Sequence, residues 1–139
     1  MSVEVHFPLE FIVEGTPVSL QAARPESIAA WKERIVSASR IVLPESHFAS
    51  SDTLAITLFY FPAGPMQGDI DNIIKPILDA LSRHVYLDDH QIHRVVVQKF
   101  EPGNIFQFSE PTATLTEALN RKPPALYVRL SDEPFEDLE

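Results

Sequence analysis

Apolar residues recur along this chain in two rhythms, and the switches between them mark out its elements. Val3–Val13 is rich in β-branched and aromatic residues (Val3, Val5, Phe7, Phe11, Ile12, Val13) and predicts a strand interrupted at Pro8. Glu14-Gly15-Thr16-Pro17 is turn chemistry, and Ser19–Ala23 is a polar connector. Pro25 opens a helix, where its missing N–H costs little. Ile28, Trp31, Ile35 and Val42 mark an apolar stripe over roughly Pro25–Ile41, with Trp31 assigned to the core. After a loop at Pro44–Asp52, the continuous β-prone run Thr53–Phe61 predicts a central strand.

The Gly- and Pro-rich loop Pro62–Gly68 leads into a second helix at about Asp71–His84, whose first turns Pro76 should bend or tighten. Ile92–Glu101 predicts a strand, Pro102-Gly103-Asn104 a turn, Pro111–Asn120 a short helix and Ala125–Leu130 a last strand. Together these predict an α+β domain over residues 1–130. It has a small mixed or antiparallel sheet of about four strands, with two main helices packed on it. Residues 131–139 are expected to form an acidic, disordered tail.

Composition narrows the classes. A chain of 139 residues suggests one domain. No run approaches the roughly 18 apolar residues of a membrane span, and no signal-peptide pattern opens the chain. With no cysteine there is neither a disulfide framework nor a thiolate zinc site. These features fit a cytoplasmic protein. The net charge of −9 argues against a generic polyanion binder. Five of those charges lie in the tail, at Asp132, Glu133, Glu136, Asp137 and Glu139, and removing them leaves −4. The densest basic region is Arg24, Lys32, Arg34 and Arg40, on and beside the first helix. By itself this is a solvated helix face. Beside an acidic metal site, the same residues become candidate phosphate contacts.

The chemistry concentrates in Gly68–Ile92, which holds Asp69, Asp71, Asp79, Asp88, Asp89 and Lys75. On a helix advancing about 100° per residue, Asp71, Lys75, Asp79 and Asn72 form one polar stripe. Ile70, Ile73, Ile74, Ile77, Leu78 and Leu81 occupy the opposite side. Asp71 alone reads as a helix cap, and Asp71–Lys75 as an ordinary i,i+4 pair. Asp69 before the helix and Asp88–Asp89 after it add more. Clustered carboxylates repel unless a cation neutralises them. Mg²⁺ takes oxygen ligands and keeps several waters, so two or three acids suffice. A metal held this way activates water and stabilises charge on a phosphoryl oxygen. His90 and His93 flank the acids, but a hard-cation site does not need imidazole.

Asp69-Ile70-Asp71-Asn72-Ile73-Ile74-Lys75-Pro76-Ile77-Leu78-Asp79-Ala80-Leu81, then Leu87-Asp88-Asp89-His90-Gln91, resembles the signature of the RusA family of Holliday junction resolvases. Weaker similarity extends over most of the chain, including Gly15-Thr16-Pro17-Val18-Ser19. The resemblance implies an α+β homodimer that hydrolyses phosphodiester bonds in branched DNA, in recombination and repair, using Mg²⁺ or alternatively Mn²⁺. It maps the essential acids and metal ligands onto Asp69, Asp71 and Asp89, with Asp88 assisting, and the catalytic lysine onto Lys75. Asp79 also matches. In the family the connector is often basic and the approach loop can carry arginines. Here the connector offers only Gln21 and Arg24 and the loop has no arginine, so DNA affinity should be modest. Two other readings stay open: a metal-dependent phosphoesterase on another nucleic-acid structure or phosphate ester, and a non-enzymatic module whose acidic face binds a basic protein.

Overall fold

The computed structural model describes residues 3–21, 23–104 and 106–136. It is an α+β fold. A four-stranded mixed sheet has the order β2 (Leu9–Glu14), β6 (Ala125–Ser131), β4 (Leu54–Phe61), β5 (Ile92–Lys99). The β2/β6 and β6/β4 pairs are antiparallel and β4/β5 is parallel. A parallel neighbour requires a crossover connection, and residues 62–91, which carry the acidic stretch, provide it.

Strand periodicity assigns the two faces. From β4, Leu54, Ile56, Leu58 and Tyr60 join the larger core with Leu126, Val128 and Leu130 of β6 and Phe11 and Val13 of β2. Trp31 and Ile35 of α1 (Pro25–Arg40) and Ile77 and Leu81 of α2 (Ile74–Leu81) close this layer. Phe61 faces the other way. It packs with Tyr127 and with Leu115 and Ala118 of α3 (Ala113–Asn120), and Phe59, Phe100 and Phe108 pack against that smaller cluster.

Several sequence expectations shift. Pro8 does interrupt the first strand, splitting off β1 (Val3–Glu4). β1 pairs in parallel with β3 (His47–Phe48), inside the segment expected to be a loop. Trp31 is core, as expected, and Ile35 and Ser39 continue its stripe. Val42 lies beyond the end of α1 and is exposed. The second helix ends at Leu81 rather than His84, because Ser82 is extended and Arg83 adopts a left-handed conformation (φ 65°).

The described part of the expected tail makes contacts of its own. Ser131 is the last residue of β6. Arg129 forms an ion pair with Glu136, whose carbonyl accepts from Arg94 Nη1 at 2.7 Å. Within the expected tail, Ser131 and Glu136 are thus tied to the sheet. Glu136 meets one arginine through its carboxylate and a second through its backbone carbonyl, pairings that composition alone did not reveal. Residues 137–139 lie outside the described residues.

Candidate active site

The site begins where the approach loop ends. Gly68 has φ 78°, a conformation that a side chain disfavours, and it turns the chain into Asp69. Asp69 is extended, and its side chain makes no capping hydrogen bond. A 3₁₀ turn at Ile70–Ile73 follows, and only then does α2 begin. Pro76 has no N–H to give to the carbonyl four residues back. That carbonyl belongs to Asn72, and it accepts instead from Leu20 N at 3.0 Å. The proline thus tightens the helix entry and ties the connector after Ser19 to the acidic segment.

The tight turn also rearranges the polar stripe. A 3₁₀ turn advances about 120° per residue rather than 100°. Asp71 therefore does not sit in line with Lys75. Lys75 Nζ lies 2.8 Å from Asp79 Oδ1 and 2.6 Å from Asp89 Oδ2. The i,i+4 partner of Lys75 is the acid after it, not Asp71 before it. These two hydrogen bonds, Asp79 first and then Asp89, raise the Lys75 pKa well above the usual lysine range. Lys75 is therefore a fixed cation at neutral pH and not a proton acceptor.

Asp89 opens a 3₁₀ turn, Asp89–Gln91, that precedes β5. Asp88 caps it by accepting from His90 N at 3.2 Å, and the His90 ring also contacts Asp88. The His90 ring, then the His90 backbone, hold the Asp88 carboxyl below its ordinary pKa. Tyr86 is fully buried beneath Asp89. Its hydroxyl donates to the Leu78 carbonyl at 2.7 Å and lies 3.4 Å from Asp89 Oδ1. Burial, and then the Asp89 charge, push the Tyr86 pKa far up, so the phenol stays neutral. Sequence reasoning missed Tyr86. The only signal was an aromatic residue in the apolar run just ahead of the acid pair.

The structure thus joins Lys75, Asp79 and Asp89 across two elements. Asp69 and Asp71 stand exposed at the loop end of the same segment. Among the described residues, no three His, Cys, Asp or Glu side chains are grouped to hold a metal ion. His90 is taken up by Asp88, and His93 lies in a separate cavity with Thr53 and residues 132–136. The four basic candidates do not form one patch. Lys32 approaches the site, 3.9 Å from Asp79. Arg34 points to the other side of α1, where Nη1 donates to the Glu14 carbonyl at 2.9 Å and crowds Gly15. Arg24 precedes α1 and Arg40 sits in its last turn.

A family model described as endodeoxyribonuclease RusA matches residues 14–105. The match contains Asp69, Asp71, Asp79, Asp88, Asp89 and Lys75, and stops short of α3 and β6. No curated protein matches the chain.

Proposed function

The chain belongs to the endodeoxyribonuclease RusA family, a family of hydrolases, and on that premise we propose that it is a Mg²⁺-dependent endonuclease of four-way DNA junctions. The observation that carries the reading is the family match, which spans the whole stretch from Asp69 to Asp89. In this reading the protein acts as a homodimer in the cytoplasm, in recombination and repair, with branched DNA as its partner. Two-fold symmetry would set two sites against the two-fold character of a junction.

The donor chemistry fits a hard cation. Asp69, Asp71 and Asp89, with Asp88 assisting, would offer only oxygen ligands, and Mg²⁺ needs few because it retains waters. Asp89 and Asp79 already hold one cation, the Lys75 ammonium, at hydrogen-bond distance. When bound, the metal supplies an activated water and neutralises charge on the phosphoryl oxygens. Lys75, permanently charged and half exposed, is poised to meet the scissile phosphate. Asp79 holds the lysine in place. Tyr86, neutral and buried, gives Asp89 a dry floor on one side. Lys32, next to Asp79, is the basic residue best placed to meet a flanking phosphate. Arg24 and Arg40 contribute at longer range.

The experiment is cleavage of a synthetic four-way junction, with flap, linear duplex and nucleotide ester controls, with and without Mg²⁺ or Mn²⁺. Metal-dependent nicking of the junction in preference to duplex is expected. Equal cleavage of flap or ester would favour the broader phosphoesterase reading. No metal-dependent cleavage of any substrate would overturn the assignment.

A further inference from the structure

Asp88 and Asp89 head a three-residue 3₁₀ turn, too short to be held by its own backbone bonds alone. One side chain supplies what is missing. Gln91 is 6% exposed. Its Oε1 accepts from the backbone N–H groups of Leu87 and Asp88, each at 2.8 Å. Its Nε2 donates to the carbonyls of Ser50 and Asp52, each at 2.8 Å. A primary amide has two donors and an oxygen with two lone pairs, so all four capacities are used. Only this orientation of the amide works, because the oxygen faces two donors and the nitrogen faces two acceptors.

The partners lie on two chain segments far apart in sequence. Residues 50–52 precede β4, and residues 87–88 lead into the acid pair ahead of β5. Backbone bonds run alongside the amide: Ser50 N donates to the Val85 carbonyl at 2.8 Å and Leu87 N reaches the Ser50 carbonyl at 3.2 Å. Gln91 thus staples the acid-bearing turn to the start of the central strand. Asp89 follows directly after the clamped Asp88 N–H, and its carboxylate reaches Lys75 and Tyr86.

We infer that Gln91 is a positioning residue for the reaction: its buried amide fixes the backbone under Asp88 and Asp89, and so fixes where the Asp89 carboxylate stands. The inference rests on the reading of Asp89 as an acid of the site. Glutamate at this position has the same shape but no amide donor, so it faces the Ser50 and Asp52 carbonyls with oxygen. Asparagine keeps the amide but is one methylene too short to span both segments. Leucine keeps much of the volume and loses every bond.

The test compares Gln91→Glu, Gln91→Asn and Gln91→Leu with wild type and with Ile35→Val, a core control in α1 that lowers stability without touching the turn. Mn²⁺ binding to the free protein is read by electron paramagnetic resonance, and junction cleavage is read as a function of Mg²⁺. Outer-shell partners of metal ligands typically change metal affinity by about 10- to 100-fold. A weakening of that order is expected in all three Gln91 variants, and none in Ile35→Val. A Gln91 series whose metal affinity moves no more than the control's, at matched melting temperature, would make the residue merely structural.

Wild-type protein alone gives a second readout. Amide exchange at Leu87 and Asp88 should be as slow as in β4 and β6. Fast exchange there would overturn the clamp, whether or not any variant folds. Wild-type protein that neither binds Mn²⁺ nor cleaves would overturn the site reading and the positioning role together. Activity in wild type with unmoved affinity in the variants would overturn the positioning role alone.

Discussion

Lys75 reaches Asp89, fourteen residues further along the chain, at 2.6 Å, and pairs with Asp79 rather than with Asp71, the acid four residues before it. The contact links the start of α2 to the turn before β5, and so closes the crossover between the two parallel strands. Its value for stability is small, because the lysine side chain is 54% exposed and such pairs contribute about 0–1 kcal/mol. Its value for chemistry is that a positive charge is held in place among acids.

Lys75→Met removes that charge and keeps the stem. Cleavage at saturating Mg²⁺ should fall by about 10²- to 10³-fold, the usual loss when one charge-stabilising donor is removed. The melting temperature should barely move. Lys75→Arg should not restore the rate, since a planar guanidinium cannot sit between Asp79 and Asp89 as a compact ammonium does. Asp79→Asn should give a milder loss, because Asp89 still holds the lysine. Single-turnover cleavage with thermal melting on the same samples checks all three. Full activity in Lys75→Met would remove the lysine from the mechanism.

Asp71→Asn should keep the fold, since the residue is exposed and polar at a helix entry. It should nearly abolish cleavage while leaving or improving DNA binding without metal, because one negative charge is gone. Junction binding in EDTA and cleavage in Mg²⁺ are the two measurements. Wild-type turnover by the purified variant would refute the ligand role.

The elements were legible in the sequence because periodicity is a local signal: α1, β4, β5, α3 and β6 lie close to where their apolar patterns put them. The acids were legible too, as residue types at particular spacings. Their mutual arrangement was less so. A uniform helical wheel put Asp71 beside Lys75, but Pro76 imposed a 3₁₀ entry that shifted Asp71 out of line. Gln91 and Tyr86 act through partners such as Ser50, Asp52 and Leu78, whose nearness depends on the folded crossover and leaves no trace in spacing. The basic residues on and beside α1 looked like a cluster in sequence. The helix distributes Lys32 and Arg34 to opposite sides, one toward Asp79 and one toward Glu14.

A histidine pair behind α2 should make stability depend on pH. His84 Nε2 lies 2.8 Å from Ser39 Oγ, and His47 Nε2 lies 2.8 Å from the His84 carbonyl. Burial, then His47 and Arg40, lower the His84 pKa from its ordinary 6.5, against a smaller opposing effect of Glu33. The folded state therefore binds this proton less readily than the unfolded chain. Stability is fully present above pH 6.5 and declines as pH falls toward the lowered folded value. Melting temperatures between pH 7.5 and 5 should fall more steeply in wild type than in His84→Gln. Parallel curves would show that His84 does not titrate with unfolding.

Glu136 engages Arg129 through its carboxylate and Arg94 through its carbonyl. The Arg129 side chain is only 26% exposed, so removing its partner leaves a half-buried cation unmet. Truncation after Ser131 should therefore cost stability, by about 1–3 kcal/mol for lost hydrogen bonds to charged groups. Arg129 also lowers the Glu136 pKa from its ordinary 4.5. That contribution is present above pH 4.5 and is lost as pH falls through the folded value, so the gap between full-length and truncated protein should narrow in acid. The same truncation removes five carboxylates and frees two arginines. Electrostatic repulsion of phosphate reaches roughly 8 Å at physiological ionic strength and further at low salt. Junction affinity should rise on truncation, most strongly at low salt. Glu136→Gln separates the two effects: it frees Arg129 but keeps the other four acids, so it should lose stability with only a small gain in affinity. Binding titrations at two salt concentrations, paired with denaturant melts, decide the matter. Superimposable low-salt curves for full-length and truncated protein would restrict the tail to its structural contact with Arg129 and Arg94.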